Sequence, residues 1–151
     1  MQTHRDPARA LPSLCALLMQ LHPVMEEGRY KQRAHIMLAR EVAKWANAVR
    51  KAEQVRTAYP GQILDIVHGD FHRDPKAVIA HIYAFIGMDL TDQAITAMAQ
   101  RIVEKPELKH GAHRYDIADF GPTEDEVRDR FGDYVQRFDL VEKRPAGAGA
   151  A

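Results

Sequence analysis

Pro60-Gly61-Gln62-Ile63-Leu64-Asp65-Ile66-Val67-His68-Gly69-Asp70 is the stretch on which the fold of this chain turns. Ile63 to Val67 is a short, apolar and mostly β-branched run, bounded by Pro60-Gly61 upstream and Gly69-Asp70 downstream, and it predicts a strand. An apolar strand of this kind between helices has the character of a central parallel strand, which needs neighbours on both edges. The sequence offers no second strand. One strand cannot satisfy its own backbone, and an isolated pair is at best marginal. Either Ile63 to Val67 belongs to an all-helical core, or its partners lie outside this chain.

Outward from the strand, the pattern is helical. Upstream, Leu38, Val42, Trp45, Val49 and Ala52 form one apolar stripe on a long amphipathic helix from about Tyr30 to Ala58, ended by Tyr59-Pro60-Gly61. Before it, Asp6-Pro7 is a helix start, an N-cap acceptor followed by a residue with no N–H to leave unsatisfied. That helix runs to about Leu21, with Pro12 inside it, and His22-Pro23 stops it. Downstream, Asp74-Pro75 repeats the start signal for a helix lined by Val78, Ile82, Phe85 and Ile86 and stopped by Gly87. Thr91 caps the next, whose expected buried face is Ile95, Met98, Ala99, Ile102 and Val103. Lys105 to Gly121 is polar, rich in His, Lys and Arg, and has no helical stripe. Thr123-Glu124-Asp125-Glu126 is a capping box opening a final helix with Val127, Phe131, Tyr134 and Phe138 on its apolar face. Residues 144–151 are expected to be a disordered tail.

The chain has 151 residues, the size of one ordinary domain, and 46% of them are apolar, enough to bury a core. Its 21 Lys plus Arg balance 21 Asp plus Glu. A net charge of zero lacks the footprint of a general nucleic-acid binder or a polybasic membrane-surface protein, and leaves room for a local basic pocket. The single cysteine, Cys15, permits no internal disulfide and fits a reducing compartment. No run approaches the ~20 apolar residues of a membrane span. The expectation is therefore a cytoplasmic protein with no nucleic-acid partner.

His-Arg-Asp-Pro occurs twice, at His4-Arg5-Asp6-Pro7 and His72-Arg73-Asp74-Pro75, with unrelated flanks. A kinase catalytic loop needs an Asn five positions after the Asp, where this chain has Leu11 and Ile79, so that reading fails. The first copy opens a helix carrying Arg5, Arg9 and Ser13. A helix N-terminus presents free N–H groups and partial positive charge, an arginine beside it can hold two phosphate oxygens, and a serine hydroxyl can donate to a third. Lys109-His110-Gly111-Ala112-His113-Arg114 gathers cations around a glycine that lets backbone N–H groups approach an anion. The plain alternatives are a capped helix start and a solvated loop. His68 and His72 stand four apart, but a zincin pattern needs Glu directly after the first His and a continuous helix, whereas Gly69 follows His68 at a strand end. No metal is expected.

Taken in order, Thr3-His4-Arg5-Asp6-Pro7 with Pro12-Ser13-Leu14, then Ile63 to Pro75, Ile82 to Gly87, and Lys109-His110-Gly111 through Asp119-Phe120-Gly121 resemble the C-terminal half of a bacterial sulfotransferase. The resemblance covers Thr3 to about Leu140. It implies an α/β fold class: the predominantly helical C-terminal part of a P-loop-like parallel-sheet fold, with most sheet strands missing, over residues 1–143. It also implies 3′-phosphoadenosine-5′-phosphosulfate (PAPS) as sulfuryl donor and a small-molecule hydroxyl or amine as acceptor. Arg5 and Ser13 match the positions that bind the donor's 3′-phosphate, and Lys109-His110-Gly111 is similar to the basic loop that closes over it. Where many relatives have Tyr-Glu-Asp, with the Tyr near the adenine, this chain has His68-Gly69-Asp70.

The family's 5′-phosphosulfate loop and histidine general base lie upstream of the His-Arg-Asp-Pro segment, and only three residues precede His4 here. The expectation is a partial domain, partnered by a missing N-terminal half or by a second copy. Without base and loop, at ~10²–10⁴ in rate each, the chain alone is expected to show little or no turnover. Two rivals stand beside this reading: a non-enzymatic helical interaction module, and a small-anion sensor that binds nucleotide without chemistry.

Overall fold

The computed structural model describes residues 1–21, 30–104 and 117–141. The chain forms two compact units, one of Met1–Thr3 with Leu64–Arg114, the other of His4–Ile63 with Tyr115–Ala151.

The first unit is organised on a two-stranded parallel sheet, β1 (Gln2–His4) beside β2 (Asp65–Val67), in which the Gln2 N–H donates to the Leu64 carbonyl at 2.8 Å. β1 corrects the expectation that the chain holds no second strand. The strand read from Ile63 to Val67 finds its partner in the three residues just ahead of the first helix. A strand that short offers no alternation to read, and the two strands are brought together only by the fold. Leu64 and Ile66 are buried at 6% and 5% exposure.

β2 runs directly into α3 (His68–Arg73), a short helix where a strand end was expected. Asp74 then caps α4 (Pro75–Phe85), its side chain accepting the Ala77 N–H at 2.9 Å, and Gly87 ends the helix at φ +70°. Thr91 caps α5 (Asp92–Glu104), its Oγ1 accepting the Ala94 N–H at 3.2 Å. The starts and stops are as the sequence implies, but the burial is not. No residue of α3, α4 or α5 is buried, and Ile102 and Val103, expected on a buried face, are 56% and 81% exposed. Periodicity identifies the apolar face of a helix and says nothing of whether another element covers it.

The second unit packs α1 (Pro7–Leu21) on α2 (Tyr30–Ala58), with a 3₁₀ turn (Ile117–Phe120) and α6 (Glu124–Asp129) against them. Its core joins Ala8, Leu11, Cys15 and Met19 of α1 to Ala34, Leu38 and Val42 of α2 and to Phe120 and Val127. The apolar stripe of α2 enters this core at Leu38 and Val42, whereas Trp45 is 44% exposed and donates its indole N–H to Glu41 at 3.0 Å. Both halves of the capping box form: the Glu126 N–H donates to Thr123 Oγ1 and the Thr123 N–H donates to Glu126 Oε2.

The expected single final helix is two helices, α6 and α7 (Tyr134–Arg137). Gly132 stands between them at φ +61°, a conformation that breaks a helix and that glycine adopts without steric cost. The apolar spacing continues across the break, which is why the sequence reads as continuous. Gly121 stands at φ +98°, a conformation strained for other residues, and a Cβ there would lie 2.6 Å from the His35 ring and displace it.

Candidate functional site

The two His-Arg-Asp-Pro copies begin alike and end differently. In the second, Asp74 is an exposed cap, and Arg73 pairs with Asp70 at 3.0 Å on its own helix. In the first, Asp6 is almost wholly buried, at 1% exposure, and Oδ1 accepts the Ala8 N–H at 3.0 Å. Its backbone carbonyl accepts the N–H groups of Arg9 and Ala10 at 3.0 and 2.9 Å. Pro7 has no N–H to offer. The start of α1 therefore lacks the free amides the sequence implied, because Asp6 has taken them. An anion there must be recognised by side chains.

Burying a carboxylate requires a partner, and the partner is Arg128 of α6, 122 positions away. Arg128 donates through Nη2 to Asp6 Oδ2 at 2.7 Å and through Nε to the same oxygen at 3.2 Å. Accepted by Asp6 first and Glu124 next, these bonds push the guanidinium further above its already high ordinary pKa. Arg128 also reaches Glu124 at 2.9 Å and Asp125 at 3.1 Å, and Arg9 pairs with Glu124 at 3.3 Å. Within this set of charges, Arg5 is the cation that has no acidic partner among the described residues, and it is exposed.

Ser13 lies half-buried on α1, on the same element as the Asp6-Pro7 start. Two residues on, Cys15 is fully buried, and its thiol pKa is pushed up to about 11, mainly by burial and then by the Glu41 carboxylate. At neutral pH it is a protonated packing group, not a nucleophile.

His4, directly before Arg5, is also fully buried. Its Nδ1 lies 3.2 Å from the Tyr134 hydroxyl and its ring stacks on Phe138 at 3.8 Å between centroids, so α7 holds the approach to α1 as α6 holds its cap. Neither Arg128 nor Tyr134 could be picked out from the sequence as a support for the Arg5 segment, since nothing local to either residue reports a partner more than a hundred positions away.

A separate groove of about 850 Å³ runs along α2, lined by His35, Leu38, Val42, Arg50, Phe120 and Arg130 among others. Neither Arg5 nor Ser13 borders it.

In the other unit, His68 opens α3 and is half-buried. It shares that helix with His72, the two Nε2 atoms 3.1 Å apart. The helix places one turn apart two histidines that the sequence, with Gly69 after His68, reads as standing at and beyond a strand end. No group of three or more His, Cys, Asp or Glu is placed to hold a metal ion among the described residues. The remaining expected site residues, Lys109, His110 and Gly111, lie outside the described residues. No described helix is long and apolar enough to cross a membrane.

A family model described as Sulfotransferase family matches residues 1–92. The matched span takes in Arg5, Ser13 and His68 and ends before Lys109. No curated protein and no solved structure matches the chain.

Proposed function

The chain belongs to the sulfotransferase family, and we propose that its α1 segment is the part of a sulfotransferase that holds the 3′-phosphate of the donor PAPS. The observation that carries this reading is the state of the α1 start. Asp6 is spent on capping and on Arg128, which leaves the adjacent Arg5 exposed with a guanidinium uncommitted to any described acid. Arg5 supplies a planar pair of donors for two phosphate oxygens, and the Ser13 hydroxyl donates to the same group. The role of Arg128 and Tyr134 is to fix the backbone on either side of Arg5, so that its side chain is presented from a rigid base.

The unit holding β2 contributes separately. His68 stands where relatives have a tyrosine near the adenine, and its imidazole can stack on a base or hydrogen-bond to it. The loop Lys109-His110-Gly111 adds cationic donors and a glycine for close backbone approach to phosphate. The reaction served is in-line transfer of a sulfuryl group from PAPS to an acceptor hydroxyl or amine. The acceptor oxygen or nitrogen bonds to sulfur as the bond from sulfur to the phosphate oxygen breaks. The acceptor proton goes to a base, and adenosine 3′,5′-bisphosphate leaves.

Adenosine 3′,5′-bisphosphate tests this reading without turnover. At 100 times its Kd it should add about 2.7 kcal/mol to stability, seen as a raised melting temperature. Arg5→Ala, an exposed substitution that leaves the fold intact, should abolish the rise. A second reading, the helical interaction module, draws on the exposed apolar residues Phe85, Ile86, Ile102 and Val103. An absent nucleotide response in the unsubstituted chain would favour it.

A further inference from the structure

We propose that His68 and His72 form a chelating site for an exchangeable divalent transition-metal ion, with Cu²⁺ bound more tightly than Ni²⁺ or Zn²⁺. Positions four apart on an α-helix lie on one face, one turn above the other. Here the helix begins at the first histidine, and the Nε2 atoms of the two rings converge to 3.1 Å. Two nitrogens bound to one ion at about 2.0–2.1 Å stand about 2.9 Å apart at a right angle and about 3.4 Å apart at the tetrahedral angle. The observed separation falls between those limits, so the two rings are already at a chelate's spacing before an ion arrives. The ring planes are inclined at 58° with centroids 4.3 Å apart, so the Nε2 atoms approach more closely than the ring centres and the rings do not stack face to face.

Imidazole is the side chain best suited to Cu²⁺, Ni²⁺ and Zn²⁺, and the order among them follows from the general ranking of these ions. In the metal-free pair one Nε2 carries the proton it shares with the other. Binding requires that proton to move to Nδ1 of the same ring, which frees the second lone pair and releases nothing to solvent. With two ligands among the described residues, the ion is exchangeable where a three- or four-ligand site would retain it.

The local charge also permits a cation. Arg73 on the same helix is engaged by Asp70 at 3.0 Å, so its charge is countered within the turn that carries the histidines. The helix itself gains from a clip. It has six residues, its N-cap Val67 makes no side-chain cap bond, and it contains Gly69, so little that is local supports it. An ion that spans one turn binds the helical state and stabilises it by mass action.

This site stands whether or not the chain binds a nucleotide. Its test is titration of the full chain with Cu²⁺ alone and Zn²⁺ alone. The expected result is one site, weakened at least tenfold by His68→Gln or His72→Gln and unchanged by the double substitution His110→Ala, His113→Ala. Electron paramagnetic resonance of the Cu²⁺ form should show two equivalent-type nitrogens, falling to one in His72→Gln. His72 is exposed, so its variant folds, and circular dichroism of that variant verifies it. Equal affinity in the unsubstituted chain and His72→Gln, or loss of binding only in the His110 and His113 variant, would overturn the proposal.

Discussion

In the unit holding α1 and α2, Cys15, Leu38, Val127 and Leu140 are shielded from solvent, whereas in the unit holding α3, α4 and α5 no residue of those helices is buried. Both regions have capped amphipathic helices, α1 and α6 in the one, α4 and α5 in the other. What separates them is coverage. The unit of α1 and α2 closes a core and adds long-range polar locks, Arg128 on Asp6 and Arg137 on Glu53 at 2.9 Å. In α3 to α5 the caps and an ion pair are local contacts: Asp74 to Ala77, Thr91 to Ala94 and Arg73 to Asp70. Short helices that bury no residue gain little from tertiary packing and are marginal in water. The difference places the stable support of the chain at the Arg5 segment and leaves the apolar faces of α4 and α5 without a buried residue.

Four substitutions rank this contrast by size in denaturant unfolding. Leu38→Ala, in a fully buried position, should cost about 3–4 kcal/mol through lost burial and the cavity left behind. Asp6→Ala removes a helix cap and strands part of the Arg128 charge, and should cost about 3 kcal/mol, reduced from a wholly buried pair because Glu124 still holds Arg128. Thr123→Ala should cost about 1 kcal/mol, the usual value of an N-cap. The reciprocal member, Glu126, is held below the ordinary carboxylate pKa mainly by the Thr123 N–H. Its contribution is therefore present above the ordinary Glu pKa and lost as pH falls through the lowered one. Val103→Ala, at 81% exposure, should change stability by less than about 0.5 kcal/mol. A large loss at Val103 would erase the contrast, since it would mean that something covers α5.

The parts of the fold that local chemistry dictates were readable from the sequence. The bounds of α2 follow from its stripe and from Tyr59-Pro60-Gly61, and the caps at Asp6, Asp74, Thr91 and Thr123 follow from side-chain oxygens within reach of nearby amides. What required the fold was non-local. β1 is three residues long and is defined by β2, more than sixty positions on. α3 contains Gly69 and two histidines, none of which favours a helix. Arg5 and Ser13 were identifiable as side chains suited to a phosphate. That the α1 amides are already taken was not, because the reason is an Asp6 buried under Arg128.

The central claim is that Arg5 reads a 3′-phosphate, and calorimetry with two nucleotides tests it most directly. Adenosine 3′,5′-bisphosphate and adenosine 5′-monophosphate differ only in that group. A charge-assisted contact contributes about 1.5–3 kcal/mol, so the chain should bind the bisphosphate at least about tenfold more tightly, and Arg5→Ala should remove the preference. Equal affinity for the two nucleotides, or a preference that survives Arg5→Ala, would contradict the account.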